Sequence, residues 1–283
     1  MISELLPYEP AFRAGVFLLV LSGMLVWEVL AVRRPQRIPR SSRWPGNFAV
    51  VLLDTISVRL VLPLTAIGVA SIASDHGWGL LNEVELPIYL SVPLAVLLMD
   101  MAIYFQHRLF HALPWLWRLH RMHHADLEFD VSTGLRFHPI EIILSMAIKM
   151  LVVLLIGAPA MAVIVFEILL SATSLFNHGN VRLPQKLDRW LRFIVVTPDM
   201  HRVHHSIITR ETDSNFGFCM PWWDRWFGTY TDQPEKGHLG MTIGIEYFRT
   251  EHDLGLRQML IQPFRQSVHD SAPSKPKHST EVL

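Results

Sequence analysis

A single cysteine, Cys219, stands among the 283 residues, so the chain holds no intramolecular disulfide and no metal or cluster site built from cysteine thiolates. Charge is scarce too. Asp, Glu, Lys and Arg make up 18% of the chain, against about 25% in an ordinary soluble protein, and the two signs cancel at 25 each. No basic excess is left to attract nucleic acid. Neither a GxGxxG loop nor an HExxH pair occurs, which removes the nicotinamide or flavin fingerprint and the metalloprotease signature. What the chain has in quantity is apolar side chains, 51%, and histidine, fifteen in all.

The apolar residues come in runs long enough to cross a membrane. Residues 14–32 carry one charge, Glu28, and as a helix span about 28 Å, enough for a bilayer core. Only Arg13 precedes this run, while Arg33, Arg34, Arg37, Arg40 and Arg43 follow it. That asymmetry argues against a cleaved signal peptide and places the following loop in the cytoplasm. A second span is expected over 47–73, interrupted by Asp54, Arg59 and Pro63; the connection 74–85 has Asp75, Glu83 and Glu85 and no Lys or Arg, as an outer loop should. Residues 86–105 return to the cytoplasm. The run 140–176 is broken at Gly157-Ala158-Pro159 into a hairpin of two short spans. Arg182, Lys186, Arg189 and Arg192 keep the next segment cytoplasmic, and 266–283, rich in Ser, Pro and Lys, reads as a disordered tail. The expected fold is an all-α integral membrane bundle of four or five spans with a cytoplasmic histidine-rich helical cap. Its expected division is a two-span region 1–85, a histidine-bearing domain 86–232, a cytoplasmic segment 233–265 and the tail.

Ten histidines, His107, His111, His120, His123, His124, His138, His178, His201, His204 and His205, fall outside the runs and on the cytoplasmic side. Three patterns recur: HRLFH at 107–111, HRMHH at 120–124 and HRVHH at 201–205. On a helix, positions i, i+3 and i+4 share a face, so each pattern aims two or three imidazoles one way, as a metal site requires. A helix start is written before the last pattern, where Thr197 caps, Pro198 suits the first turn and Asp199 favours the dipole. If the third span continues past the membrane surface, Asp100, Tyr104, His107 and His111 lie on one stripe. Asp100 and Asp199 are then candidates to hold a ligand imidazole by its N–H. The remaining five histidines read as ordinary polar residues.

Eight to ten imidazoles exceed one site and suit two ions with four or five ligands each. Imidazole alone does not choose among iron, copper, zinc and nickel. A site at the mouth of an apolar bundle fits a lipid substrate, and oxidising its C–H bonds takes a redox metal and dioxygen, which excludes zinc. The competing class is a histidine-rich metal-binding membrane protein for transport, sensing or structure, whose ligands would run along the membrane depth.

The pieces HRLFH, HRMHH, FHPIE (137–141), FNHGN (176–180), DMHRVHH (199–205) and DSNFGFCMPWWDRWFGTY (213–230) together resemble the fatty acid hydroxylase and sterol desaturase superfamily over about residues 90–232. The resemblance implies that His107, His111, His120, His123, His124, His201, His204 and His205 bind two irons, with His138 and His178 as additional ligands and no catalytic side chain beyond them. It further implies O2-dependent hydroxylation or desaturation of a lipid: a fatty acyl, sterol-like or related alkyl substrate. A separate electron donor, whether ferredoxin, cytochrome or reductase, is expected. The Arg-rich composition points to a bacterial inner membrane. Trp115, Trp117, Trp222, Trp223 and Trp226 read as an interfacial belt, Asp54 and Arg59 as interfacial charges, and Cys219 as a small buried residue.

Overall fold

Residues 8–84 and 86–266 are described by a computed structural model, and among them β-type pairing is limited to two isolated bridges, Val32 with Val181 and Ser206 with Ile243. The long helices are α1 (Glu9–Leu30), α2 (Arg40–Val61), α3 (Ala66–His76), α4 (Ile88–Ala112), α5 (Pro114–His124), α6 (Pro139–Ile156) and α7 (Ala160–Asn177). Two shorter ones, α8 (Gln185–Leu191) and α9 (Pro198–His204), follow. Five stretches are long and apolar enough to span: Glu9–Leu30, Arg40–Glu83, Ile88–Ala112, Pro139–Ile156 and Ala160–Asn177. The proposed tail lies outside the described residues, apart from Gln266.

The expected second span is not one helix. Leu62, the residue before Pro63, takes an extended backbone (φ −105°, ψ 109°), the conformation that proline imposes on its predecessor. Helix α3 then restarts with the Thr65 hydroxyl accepting the Gly68 N–H at 3.1 Å. Helix α4 runs seven residues beyond the expected end at Phe105, carrying His107 and His111 out of the apolar layer. The hairpin turns where the sequence places it: Gly157, at φ +67°, closes α6, and Pro159 opens α7. This turn rests on the one between α3 and α4. Gly79, at φ +96°, touches the Gly157 amide and the Leu154 carbonyl so closely that a Cβ would collide with both. The two far-side turns therefore meet, and the histidine-bearing ends gather at the opposite end of the bundle.

Small residues let these helices approach. Ala66, Ala70, Ala95, Ala158 and Ala162 are buried with Met99, Val153 and Phe166 in one cluster, the close backbone packing that helices in lipid favour. Helix α1 lies along α7, with Trp27 stacked on Phe176 at 6.2 Å. Leucines such as Leu18, Leu19, Leu30, Leu52 and Leu60 stay exposed, the outward apolar face a bilayer would cover.

The cap is pinned to the bundle by the polar groups that end the first two spans. Glu28, 2% exposed, accepts the Val131 and Asn180 amides at 2.8 Å each and pairs with Arg40 at 2.8 Å. Arg43 is fully buried and donates to Asp126 at 2.7 Å through both Nε and one terminal nitrogen, and to Asp130 at 2.6 Å. Burial alone would raise the Asp126 carboxyl, yet Arg43 and Arg136 hold it well below the usual carboxylate range. Arg33 pairs with Asp199 at 2.9 Å. The arginines that signal topology thus also fasten the cap.

Candidate metal centre

Four elements converge on one buried volume: the cap end of α4, all of α5, the C-terminus of α7 and α9. Pro114 starts α5 directly after α4, and the Thr197 hydroxyl caps α9 by accepting the Met200 amide at 3.4 Å. Nine imidazoles meet there in two groups. His107, His111, His120, His124 and His204 form the first; His123, His178, His201 and His205 form the second. Within each group the candidate ligand atoms lie within 4.8 Å of one another. The groups abut, with the His124 and His205 rings stacked at 4.6 Å.

The HxxHH patterns divide between them. Residues four apart share a helix face, whereas neighbours point about 100° apart. So His120 and His124 enter the first group while His123 enters the second, and His201 and His205 enter the second while His204 enters the first.

The protons on these rings are fixed by their outer partners. A carbonyl oxygen only accepts, so His107 Nδ1, 2.8 Å from the Phe216 carbonyl, carries its hydrogen, as do His204 Nδ1 on Ser214 at 2.7 Å and His178 Nδ1 on Ser174 at 2.7 Å. His120 Nδ1 is held by Glu141 Oε1 at 2.6 Å. The Nε2 atoms of these neutral rings turn inward as lone pairs. His107 and His120 face each other Nε2 to Nε2 at 3.1 Å, and His178 Nε2 stands 3.1 Å from both His123 Nε2 and His201 Nε2. Between His107 and His120 the facing lone pairs repel at that distance, whereas His123 and His201, whose Nδ1 atoms have no partner, can each turn an N–H toward His178 Nε2. The His111 and His204 Nε2 atoms and both ring nitrogens of His124 and His205 are likewise buried without a hydrogen-bond partner. Such a set, costly if left bare, has the donor chemistry of two cation sites with oriented imidazole ligands.

Burial keeps the rings neutral. It depresses His120 to about 3 and His178 to about 4, and pushes His123, His124, His201, His204 and His205 well below 6.5, with neighbouring imidazoles adding to the effect in those five. In the unfolded chain they take up protons near pH 6.5, so the unfolded state binds more protons in acid. Stability is therefore complete above about pH 6.5 and falls as the pH drops through 4 toward 3. Thermal unfolding of metal-stripped protein should give a flat midpoint from pH 8 to 6.5 and a declining one below; a midpoint that rises on acidification would refute this.

Three expected site residues lie elsewhere. His138 is not in either group: it caps α6, its Nδ1 accepting the Ile140 amide at 3.2 Å, and its Nε2 sits 3.1 Å from the Leu260 carbonyl. Asp100 touches no imidazole. It accepts the Cys219 and Met220 amides at 3.3 and 3.2 Å and the Trp223 indole at 2.7 Å, and so steadies the 216–223 loop whose Phe216 carbonyl holds His107. Asp199 pairs with Arg33 and Arg202 and lies 3.5 Å from His238 Nε2, away from the nine clustered imidazoles. The aromatic belt divides in the same way. Trp115 and Trp226 are exposed, but Trp223 is buried on Asp100, and Trp117 packs 4.9 Å from the His111 ring. Glu141 is a site residue that the histidine patterns do not single out, although FHPIE carries it. Asp54, expected at the interface, is buried at 5% exposure.

A cavity of about 300 Å³ descends from His107 and His120 between α1, α4, α6 and α7, walled by Phe17, Ile103, Phe137, Leu175 and Phe218. On the other side of the first group, His111 faces a separate groove with Trp117, Asp213 and Tyr247.

Residues 92–229 match the fatty acid hydroxylase family. Among curated proteins, the chain is similar to ornithine lipid hydroxylase OlsE of Rhizobium tropici, 29% identical over 193 residues, which cover 68% of this chain and 56% of that protein. It is 34% identical over 156 residues to alkylglycerol monooxygenase of Danio rerio, covering 55% of this chain and 34% of the relative. With Delta(7)-sterol-C5(6)-desaturase of Nicotiana tabacum it shares 26% identity over 246 residues, 80% of this chain and 83% of that one. The chain thus spans about half the length of the first relative and a third of the second. No solved structure matches it. All nine clustered histidines fall inside the segment that matches the fatty acid hydroxylase family.

Proposed function

We propose that this multi-pass membrane protein is a di-iron oxidoreductase that uses O2 to hydroxylate or desaturate a lipid. The observation that carries the reading is the adjacency of two oriented imidazole groups to an apolar cavity running down between membrane helices. His107, His111, His120, His124 and His204 would hold one iron, and His123, His178, His201 and His205 the other; together the two ions supply the redox capacity to reduce O2 and oxidise an alkyl C–H bond. The protein's own contribution is positional. The Phe216, Ser214 and Ser174 carbonyls and Glu141 keep hydrogen on Nδ1 and aim each Nε2 inward. Phe137, parallel to the His123 ring at 4.4 Å, and Phe218 keep water from the side where an alkyl chain would lie.

The electrons come from a separate ferredoxin, cytochrome or reductase, since the chain carries no nucleotide fingerprint. The arginine-rich loop after α1 supports a cytoplasmic cap in a bacterial inner membrane. The reading keeps the division into 1–85, an oxidising unit 86–232 and a segment 233–265, which packs on α5 where Arg118 donates to the Pro263 carbonyl at 2.7 Å. The test is metal analysis with Mössbauer spectroscopy on detergent-purified protein, beside a variant with His201, His204 and His205 changed to Ala, followed by O2 uptake with a reductant and lipid. About two irons per chain, lost in the variant, and lipid-coupled O2 consumption are expected. Stoichiometric zinc after iron-supplemented growth would overturn the reading in favour of metal transport or structure.

A further inference from the structure

The cavity that begins at His107 and His120 does not end in hydrocarbon. Its far end is lined by Arg13 of α1, Lys149 of α6 and Glu167 of α7, and there a second cavity of about 310 Å³ adjoins it, sharing Arg13, Phe17, Glu167 and Ser171 and adding Arg59 of α2. Lys149 and Glu167 each lie seven residues, about 10 Å, inside the far ends of their helices. Charges at such depth are costly and mark a function. Glu167 is already spent: its Oε1 accepts from Lys149 at 2.7 Å and its Oε2 pairs with Arg13 at 2.7 Å. The donors are not. Lys149 keeps two N–H bonds, Arg13 reaches both Glu167 and Glu9 through one terminal nitrogen, and Arg59, exposed, pairs with no described carboxylate. Among the described residues, three cations against two carboxylates that are already engaged leave this end short of acceptors.

We propose that Arg13, Arg59 and Lys149 bind the acidic head, phosphate or carboxylate, of the amphiphile whose alkyl chain fills the cavity toward His107 and His120. The proposal rests on the cavity being the lipid site of the oxidoreductase, and it names the substrate class: a single-chain anionic amphiphile whose head points away from the cap. Eight residues of α6 separate Glu141, beside His120, from Lys149, so the head would be held about 12 Å from the histidines. That spacing sets which carbon is presented for oxidation.

The experiment measures binding of dodecyl phosphate, dodecanoate and dodecanol to the iron-loaded full chain in phosphatidylcholine nanodiscs. The native protein should bind the two anions at least about tenfold more tightly than the alcohol. Lys149→Met and Arg59→Gln should each shrink that preference while leaving dodecanol affinity and iron content unchanged. Arg59 is exposed and pairs with no described carboxylate, so its variant tests the site without disturbing the fold. Equal affinity for anion and alcohol in the native protein, or a preference untouched in both variants, overturns the proposal. So does full displacement of dodecyl phosphate by inorganic phosphate, which would mark a site for the free anion. Should the charge preference hold while no probe is oxidised, the head site stands and the oxidase reading falls; oxidation without preference gives the reverse.

Discussion

Replacing His178 by alanine is expected to lower lipid oxidation by at least about 100-fold, the upper range for losing even an outer partner of a metal ligand, and to reduce bound iron. His178 lies outside the three helical histidine patterns, yet its Nε2 stands 3.1 Å from both His123 and His201, at the middle of the second group. Gly134 makes room for it, since a Cβ there would come within 3.0 Å of His178 Nδ1. His138→Ala supplies the contrast. That change removes a helix cap, at a cost of about 0.5–2 kcal/mol, and should leave iron content and turnover per iron intact. The two variants, measured by iron analysis and O2 uptake, separate a ligand set drawn from motifs from one drawn from geometry; equal iron loss in both would defeat the assignment of His178 as a ligand and His138 as a cap.

Arg43→Met should be the most destabilising single substitution in the cap. It strands Asp126 and Asp130, both fully buried and both bonded to the guanidinium at 2.6–2.7 Å. Removing one partner of a buried pair costs about 3–5 kcal/mol, a large part of the roughly 5–15 kcal/mol that holds a protein folded. Thermal unfolding in detergent should show a much lower midpoint, and adding Asp126→Asn with Asp130→Asn should recover part of the loss by removing the stranded charges. A midpoint within a degree or two of the parent would show that the pair contributes nothing net.

The number of spans, the break at Gly157-Ala158-Pro159 and the cap on α9 were legible because each is a local signal: an apolar run, a turn residue, a hydroxyl before a proline. The clustering of nine histidines was legible for the same reason, through i, i+4 spacing. Their partition was not, because it depends on how α5 and α9 face each other across the site. His138 shows the limit well. It precedes Pro139 as Thr197 precedes Pro198, and the logic that makes Thr197 a cap applies equally to it; a histidine-rich surrounding hides that its place is before a helix. Asp54 and Arg59 look interfacial from the pattern of one helix. Only the packing of α2 on α6, and of α1 on α7, turns one inward and sets the other on a cavity wall. Glu28, Arg43 and Glu141 find partners far along the chain, beyond any local pattern.

The interleaving of neighbouring histidines bears on how such a centre can change over generations. Deleting the 120–124 pattern takes two ligands from the first group and one from the second, and deleting the 201–205 pattern does the converse. Truncation or exchange of either pattern therefore damages both ion sites together. The 107–111 pattern differs, because both of its histidines serve the first group. A descendant with a single metal has its shortest route through α4, where two changes take two of the five candidate ligands of the first site and leave all four of the second in place.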